Sequence, residues 1–305
     1  MILTVGKVYT IAPKLSIIIP AYNAEKYIAE TIESALQQTI DDYEVIIVND
    51  GSKDRTADII AQYQHHPKIR AEGYRLNRGA PHAYNHGVLH SEAEYIAFLD
   101  SDDLFLPAYC ERVLSKMEAQ NADLGFANLL TIDGVTKNTT TLYGAPRDPR
   151  FANLYGGADR TFPSDPIEVR RLVLQGVHIS PRSIYKRSLF LNNGLEDHRL
   201  KITHDWLRHI KFIINGAKCV YVNEPLGYYR FHSEGNSQKD PLANYVENIK
   251  IMEIVMNEFG TLLSEAEREM VKIINKNLRS SVLETLSDSA MTTSQIVQYL
   301  VDKQF

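Results

Sequence analysis

The sequence has few cysteines, no excess of positive charge and no long hydrophobic run. Its two cysteines, Cys110 and Cys219, lie among apolar residues on a predicted helix and a predicted strand, which favours buried, reduced thiols over a disulfide framework. The formal net charge of −5 provides no basic surface, so we expect no nucleic-acid partner. No apolar stretch approaches the ~20 residues that span a bilayer.

The N-terminal segment also lacks the long apolar core of a signal peptide. Together with the scarcity of cysteine, this predicts a cytoplasmic protein. A peripheral contact with the inner face of the membrane remains open, because such a contact needs no spanning helix.

Four apolar runs alternate with helical patterns in the first hundred residues. Residues 15–20, 44–49, 69–74 and 95–99 are predicted strands, and apolar residues at helical spacing follow the first three. Strands that are apolar on both faces and alternate with amphipathic helices predict an α/β fold with a mostly parallel, doubly wound sheet flanked by helices. Ligands bind such sheets at the carboxyl ends of the strands, where Tyr22, Asp50 and Asp100 lie.

Three carboxylates, Asp100, Asp102 and Asp103, follow the fourth strand. Like charges this close repel one another unless water, a cation or a hydrogen-bond donor offsets them. Carboxylates at i and i+2 of an extended segment point to one side, and Mg²⁺ or Mn²⁺ prefers oxygen ligands shared with substrate phosphates. The residues alone leave a metal site and a solvated acidic turn as alternatives.

Six segments resemble, in order and spacing, the signatures of family-2 glycosyltransferases with the GT-A fold. They are residues 17–23 (IIIPAYN), 48–54 (VNDGSKD), 77–79 (NRG), 98–103 (FLDSDD), 204–206 (HDW) and 228–232 (YYRFH). The resemblance runs from about residue 14 to about residue 237. It implies a metal-dependent, inverting transfer of a sugar from a nucleotide-diphosphate donor, expected to be UDP-linked, to an acceptor hydroxyl in polysaccharide or glycoconjugate biosynthesis. The implied cofactor is Mn²⁺ or Mg²⁺.

The resemblance also implies roles for particular residues. The first two turns would bind the nucleotide, with Asp50 on the uracil ring, and the third turn would approach the base or the diphosphate. The metal would be held by Asp102, with Asp100 and Ser101 beside it, and His232 would be a further metal ligand or a diphosphate donor. The nucleotide-binding residues carried over are Pro20, Ala21, Tyr22, Glu25, Asp50, Asn77 and Arg78.

These residues also have simpler structural interpretations. Tyr22 could belong to the core, Glu25 could only favour a helix start, and Asp50 could only form a turn. His232 could be a partly buried histidine bonded to the backbone.

Asp205 is the candidate general base. It begins a predicted helix, where the macrodipole and free amides favour a carboxylate that accepts a proton. From the residue alone, a helix cap and a base are equally good interpretations. The family has its base at the second acidic position of this motif, which favours catalysis. The first position holds His204 where the family often has Glu, so no role of that neighbour is carried over.

The chain divides, by prediction, into a GT-A domain of residues 1–237 and a helical C-terminal region of residues 238–305. Within the domain, residues 14–130 would bind the nucleotide sugar and residues 131–237 the acceptor. Residues 144–166 are rich in Gly, Pro and charge, which predicts a mobile lid that orders with donor and metal. Acceptor discrimination is expected in this loop and around His178 and Trp206.

Beyond this loop, the pattern predicts a helix over 166–174, a strand over 179–185, a helix over 205–215, and short strands over 218–222 and 226–231. From residue 244 onward it predicts helices. The apolar faces of these C-terminal helices would pack on the body, on a second subunit as a homo-oligomer, or on a membrane surface.

Two other classes of protein are alternatives. A nucleotide-sugar pyrophosphorylase or dehydrogenase would be expected to have a glycine-rich loop after the first strand. Residues 20–23 contain no glycine, and no G-x-x-x-x-G-K-[ST] motif occurs. A non-catalytic nucleotide-sugar-binding protein of the same fold is the second alternative, and the presence of Asp102, Asp205 and His232 argues against it.

Overall fold

A computed structural model describes residues 12–134, 136, 139–142, 163–176, 179–233, 235 and 240–287, with 292, 295, 296, 298 and 299. The predicted lid therefore lies outside the described residues except for residues 163–166, and so does His178. The first half contains β1 (Leu15–Ala21), α1 (Ile28–Leu36), β2 (Tyr43–Asp50), α2 (Thr56–Tyr63), β3 (Ile69–Tyr74), α3 (Ala80–His90) and β4 (Tyr95–Phe98).

These strands form the parallel part of the sheet. β1 pairs in parallel with both β2 and β4, and β2 pairs in parallel with β3. Successive residues of β1 are fully buried on opposite faces: Ile18 packs into the apolar cluster that contains α3, and Ile17 and Ile19 into the cluster that contains α1. The predicted doubly wound α/β arrangement is confirmed.

The second half contains reversed strands. Its elements are β5 (Leu104–Phe105), α4 (Tyr109–Ala119), β6 (Leu124–Asp133), β7 (Thr139–Leu142), α5 (Pro166–Leu174), β8 (Ile184–Lys186), α6 (Arg187–Asn193), α7 (His204–Ile214) and β9 (Cys219–Phe231). The strand order is β3-β2-β1-β4-β8-β6-β9-β5, and β7 pairs with β6. β8 is antiparallel to β4 and to β6, whereas β6 and β9 are parallel.

Three strand predictions in this half are wrong in extent. The strand predicted over 179–185 is only β8, because residues 179–183 do not form strand. The strands predicted over 218–222 and 226–231 are one continuous strand, β9, which shifts register beside β6 where Pro225 lies opposite Asn128. Proline removes one ladder donor, and here the strand accommodates it with an irregularity rather than ending. β6, the parallel partner of β9, was not predicted from the sequence.

The C-terminal helices pack on the body. α8 (Pro241–Phe259) contributes Ile251, Met252 and Val255 to the same apolar cluster as Leu207 of α7. α9 (Glu265–Ser287) follows, and its Val271 joins that cluster. Within the described residues, no helix combines the length and apolar character needed to cross a bilayer. Oligomerisation through these helices remains a prediction.

Candidate active site

The acidic turn after β4 is compensated by a cation of the chain itself. Arg182, in the turn before β8, directs Nη2 to Asp100 Oδ2 at 2.5 Å and pairs through Nε with Asp103. The Arg182 and Asp103 side chains are buried, whereas that of Asp100 is 26% exposed. Repulsion between the carboxylates is thereby offset without a bound ion. Arg182 was not predicted from the sequence, because this residue lies about 80 residues from the acidic turn and belongs to no motif.

The end of β9 folds back onto the same turn. His232 Nε2 lies 2.9 Å from Asp102 Oδ2, so the two residues predicted to bind the metal are in direct contact. The backbone amide of Arg230 donates to Asp103 Oδ1 at 2.7 Å, and its guanidinium donates to the Asp102 carbonyl at 2.7 Å. The His232 ring also packs against the Tyr27 ring, with 4.7 Å between centroids.

The donor atoms of this turn fit a divalent cation. Asp102 is the more open carboxylate, since both oxygens of Asp100 are engaged by Tyr84 and Arg182. Nε2 of His232 faces Asp102, whereas Nδ1 is buried and has no hydrogen-bond partner within the described part of the chain, so either nitrogen can carry the proton and Nε2 can serve as a ligand. A carboxylate oxygen beside an imidazole nitrogen is a ligand pair that suits Mn²⁺, and carboxylate oxygens suit Mg²⁺.

Asp50 links the second turn to the third. Its two carboxylate oxygens accept hydrogen bonds from the backbone amides of Arg78 and Gly79, both at 2.8 Å. Burial raises the pKa of Asp50, and the two amide donors oppose that rise. Gly51 has φ +70°, and a Cβ there would lie 2.5 Å from the Leu76 carbonyl carbon, so the two turns approach as only glycine allows.

The first turn is tied to the second by reciprocal hydrogen bonds. The Glu25 amide donates to Asp54 Oδ2 at 3.1 Å, and Glu25 Oε2 accepts from the Arg55 amide at 2.9 Å. Glu25 thus supports the start of α2. Pro20 is half-buried and Ala21 is buried, whereas the side chain of Tyr22 is 46% exposed, which rules out a core role for Tyr22.

The third turn presents exposed side chains beside Asp50. Asn77 and Arg78 are both exposed, and the Arg78 guanidinium lies 5.0 Å from the centroid of the Tyr74 ring. The structure therefore brings Asn77 and Arg78 to the turn that Asp50 holds, at the carboxyl edge of the sheet. Ser101 lies in the acidic turn, where its carbonyl accepts a hydrogen bond from the Thr31 hydroxyl at 3.0 Å.

Asp205 is the second residue of α7 and is half-buried above a buried charged triad. In this triad, Glu196 binds His204 Nδ1 at 2.9 Å through one oxygen and Arg208 through the other. Burial alone would raise the pKa of Glu196, but Arg208 and His204 outweigh it and lower the pKa to about 2. Burial likewise opposes the charged form of His204, and Glu196 outweighs it and raises its pKa.

The roles of Glu196 and Trp206 could not be predicted from the sequence. Glu196 was missed because it lies outside every motif, and it contacts His204 from the loop before α7. Trp206 is buried and donates from Nε1 to the Val173 carbonyl at 2.7 Å, so it belongs to the core and does not present its indole to a substrate.

Tyr84 of α3 connects the acidic turn with α7. Its hydroxyl donates to Asp100, and its ring centroid lies 5.3 Å from that of His204. Burial raises the pKa of Tyr84, and Asp100 raises it further, so the phenol remains a donor. Tyr84 therefore connects the acidic turn with the residue that precedes the predicted base.

A second group of potential ligands, Glu72, His86 and His90, lies on β3 and α3. The two imidazole rings stack at 3.9 Å with 22° between their planes, and Glu72 already pairs with His86. Arg70 Nε also pairs with Glu72 at 3.1 Å. We assign no metal to this group.

Comparison with known proteins gives a consistent result. A family model described as Glycosyl transferase family 2 matches residues 16–179, more than half of the chain. An uncharacterized glycosyltransferase of Haemophilus influenzae is 30% identical over 234 residues, which cover 75% of this chain and 72% of the relative. One of Rickettsia typhi is 33% identical over 207 residues, which cover 67% of this chain and 60% of the relative's length.

Solved structures share the fold. Staphylococcus aureus TarS 1-349 in complex with UDP-GlcNAc superposes with a TM-score of 0.70 at 21% identity, covering 95% of this chain and 80% of that one. The mannosyltransferase PcManGT from Pyrobaculum calidifontis, in complex with GDP-Man and Mn²⁺, gives 0.60 at 16% identity, covering 96% and 80%. The fold is thus of the GT-A type, and with the sequence matches it shows that the chain belongs to glycosyl transferase family 2.

Proposed function

We propose that the protein is an inverting glycosyltransferase that moves a sugar from a UDP-linked donor to an acceptor hydroxyl in the synthesis of a polysaccharide or glycoconjugate. The observation that carries this proposal is the contact of His232 with Asp102 in the acidic turn, together with Tyr84, which lies between Asp100 of that turn and His204, the residue before Asp205. The UDP-GlcNAc bound by TarS, which shares the fold, supports the choice of a UDP-sugar.

The nucleotide would bind at the three linked turns. Asp50 would accept from the base while it holds the Arg78 and Gly79 amides, and Tyr22 would pack on the base from the first turn. Asn77 and Arg78 would contact the base or the diphosphate. Pro20 and Ala21 would keep the first turn in place, and Glu25 would tie it to the second turn through the Arg55 amide.

Asp102 and His232 would hold Mn²⁺ or Mg²⁺, with Asp100 and Ser101 beside them. When bound, this ion offsets the negative charge that develops on the leaving diphosphate. Arg182 keeps Asp100 and Asp103 paired, so that Asp102 remains the carboxylate open to the ion and the diphosphate. His232 is oriented by its contacts with Asp102 and Tyr27.

Asp205 would act as the base. The acceptor hydroxyl gives its proton to the Asp205 carboxylate while its oxygen bonds to the anomeric carbon. The bond from that carbon to the diphosphate breaks on the opposite face, and UDP leaves with the electron pair. A base held in line with the leaving group makes the transfer a single displacement, which inverts the anomeric centre.

A thermal-shift screen of nucleotide sugars, each with and without Mn²⁺, tests the donor class. Ligands that bind only the native state raise the melting temperature by mass action, so we expect UDP-sugars with Mn²⁺ to give the largest rise. Release of UDP from the best ligand then separates an enzyme from a sugar-binding protein. Binding without any release, with a panel of acceptors present, would contradict the proposed activity.

A further inference from the structure

A carboxylate of the C-terminal region caps the segment that leads into α7. Glu247 of α8 accepts hydrogen bonds from three successive backbone amides: Lys201 at 2.8 Å, Ile202 at 2.8 Å and Thr203 at 2.9 Å. The Thr203 hydroxyl adds a fourth, at 3.3 Å, to the same carboxylate. The Glu247 side chain is buried, where hydrogen bonds to a charged acceptor are strong and unmet donors are costly.

The capped residues lie directly before the candidate base. Thr203 is the N-cap residue of α7 but makes no side-chain cap, and Asp205 is only two residues further along. The Thr203 side chain therefore does not fix the start of this helix, and Glu247, about 45 residues away in sequence, holds the backbone of the three residues that lead into it.

The helix that carries Glu247 is itself fixed. Ile251, Met252 and Val255 lie one to two turns beyond Glu247 on α8 and are fully buried in the cluster that contains Leu207 of α7. The carboxylate therefore lies on an element that is packed against α7, and it holds the segment that leads into that helix. The exposed pair between Arg199 and Glu258 adds a further link between this loop and α8.

We infer that Glu247 is a positioning residue for Asp205, so that the C-terminal region, which has no catalytic motif, determines the geometry of the base. This inference rests on the proposed function. Without the carboxylate, three amides lose their acceptor, the segment over 201–203 relaxes, and the first turn of α7 shifts with it. A misplacement of about 1 Å can lower the rate ~100-fold while substrate binding is retained.

Glu247→Ala, assayed well below its melting temperature, tests this inference. We expect kcat for UDP release to fall ~10- to 100-fold, with the Kd for UDP and Mn²⁺ unchanged within about 2-fold, because the nucleotide turns do not touch the capped segment. Glu267→Ala is the matched control. Glu267 of α9 accepts from the Ser264 amide at 2.7 Å and pairs with Arg170, so it supports the same C-terminal region without touching residues 201–203. Its kcat should stay near the wild-type value.

A double-mutant cycle separates positioning from general loss of structure. In an Asp205→Asn background, Glu247→Ala should change the residual kcat by less than about 2-fold, because the group it positions is already lost. An equal loss in both backgrounds, or wild-type kcat in folded Glu247→Ala, would overturn the inference and leave Asp205 as the base. Wild-type kcat in Asp205→Asn would instead overturn the base assignment, and the positioning role with it.

Glu247→Gln keeps the inference testable if Glu247→Ala does not fold. The amide keeps the size and one acceptor oxygen, but it points a donor at the backbone amides. A smaller loss of kcat than in Glu247→Ala, again at unchanged Kd for UDP, agrees with positioning. Full kcat in Glu247→Gln together with an unfolded Glu247→Ala would show that Glu247 only stabilises the fold.

Discussion

The acidic turn after β4 and the start of α7 both carry candidate functional carboxylates, but these are supported in different ways. Asp100, Asp102 and Asp103 are directly engaged by Tyr84, His232 and the guanidinium groups of Arg182 and Arg230. The Asp205 carboxylate accepts no hydrogen bond from any residue that the structure describes. Its position depends instead on the preceding backbone at Thr203 and on the buried triad that contains His204. A turn compensated in this way can receive a cation and a diphosphate, whereas a carboxylate left uncommitted can accept a proton.

The largest expected effect is that of Asp102→Asn. The amide is a poorer ligand for a hard cation, so metal-dependent donor binding and turnover should be lost together, with kcat/KM falling ~1000-fold if the ion contributes several kcal/mol. Turnover titrated with Mn²⁺ measures this. Near wild-type turnover with the same Mn²⁺ dependence would remove Asp102 from the metal site.

Arg182→Ala should remove the positive charge that offsets Asp100 and Asp103 in the acidic turn. The variant leaves buried Asp103 without its cation, a change that typically costs about 3–5 kcal/mol. Mn²⁺ should raise the melting temperature more in the variant than in the wild type, because the ion replaces part of the missing charge.

Arg199→Ala is the control for this variant. Arg199 is 54% exposed in its pair with Glu258, and an exposed pair contributes less than about 1 kcal/mol. Equal melting temperatures for the two variants would show that Arg182 does not compensate the turn.

Asp205→Asn tests the candidate base at the start of α7. The substitution keeps the shape of the side chain and removes the proton acceptor, so UDP affinity should hardly change while turnover falls ~100-fold or more. Isothermal titration with UDP and Mn²⁺, beside steady-state rates, checks both quantities. If only the melting temperature fell, Asp205 would be a helix-capping residue and the base would lie elsewhere.

The smallest expected effect is the pH dependence of the melting temperature that comes from the buried triad of Glu196, His204 and Arg208. The lowered pKa of Glu196 gives stability that is complete above pH 4.5 and lost as the pH falls toward about 2. The raised pKa of His204 gives stability that is complete below pH 6.5 and lost as the pH rises through its higher native value.

Melting temperature should therefore decline above pH 6.5, by about 2–4 °C for each kcal/mol lost. Glu196→Gln should weaken this decline, because the charge that favours protonated His204 is gone. Calorimetry of both proteins between about pH 5.5 and pH 8 measures the difference. An unchanged slope in the variant would show that the triad does not contribute to the pH dependence.

How much the sequence revealed also differs between the two regions. The parallel half could be predicted almost to the residue, because each strand is a continuous apolar run and each turn is a contiguous motif. The pairing of Asp102 with His232 followed from the family resemblance. Arg182, Glu196 and Glu247 could not be found in this way, because each acts across 40 to 80 residues or from a segment without periodicity. β6 and the continuous β9 were misjudged since proline and polar residues interrupt their apolar pattern.

Arg230 has a consequence for the order of events during synthesis. Its guanidinium reaches Glu30 of α1 at 2.6 Å, across 200 residues of sequence, while its amide holds buried Asp103. Contacts so distant in sequence form late, because the intervening chain must first be made and closed into a loop. We therefore expect a nascent chain that ends before β9 to fold its parallel strands around an acidic turn that Arg182 can already pair with but that Arg230 does not yet hold. The last strand of the sheet would then complete both the fold and the acidic turn in one step.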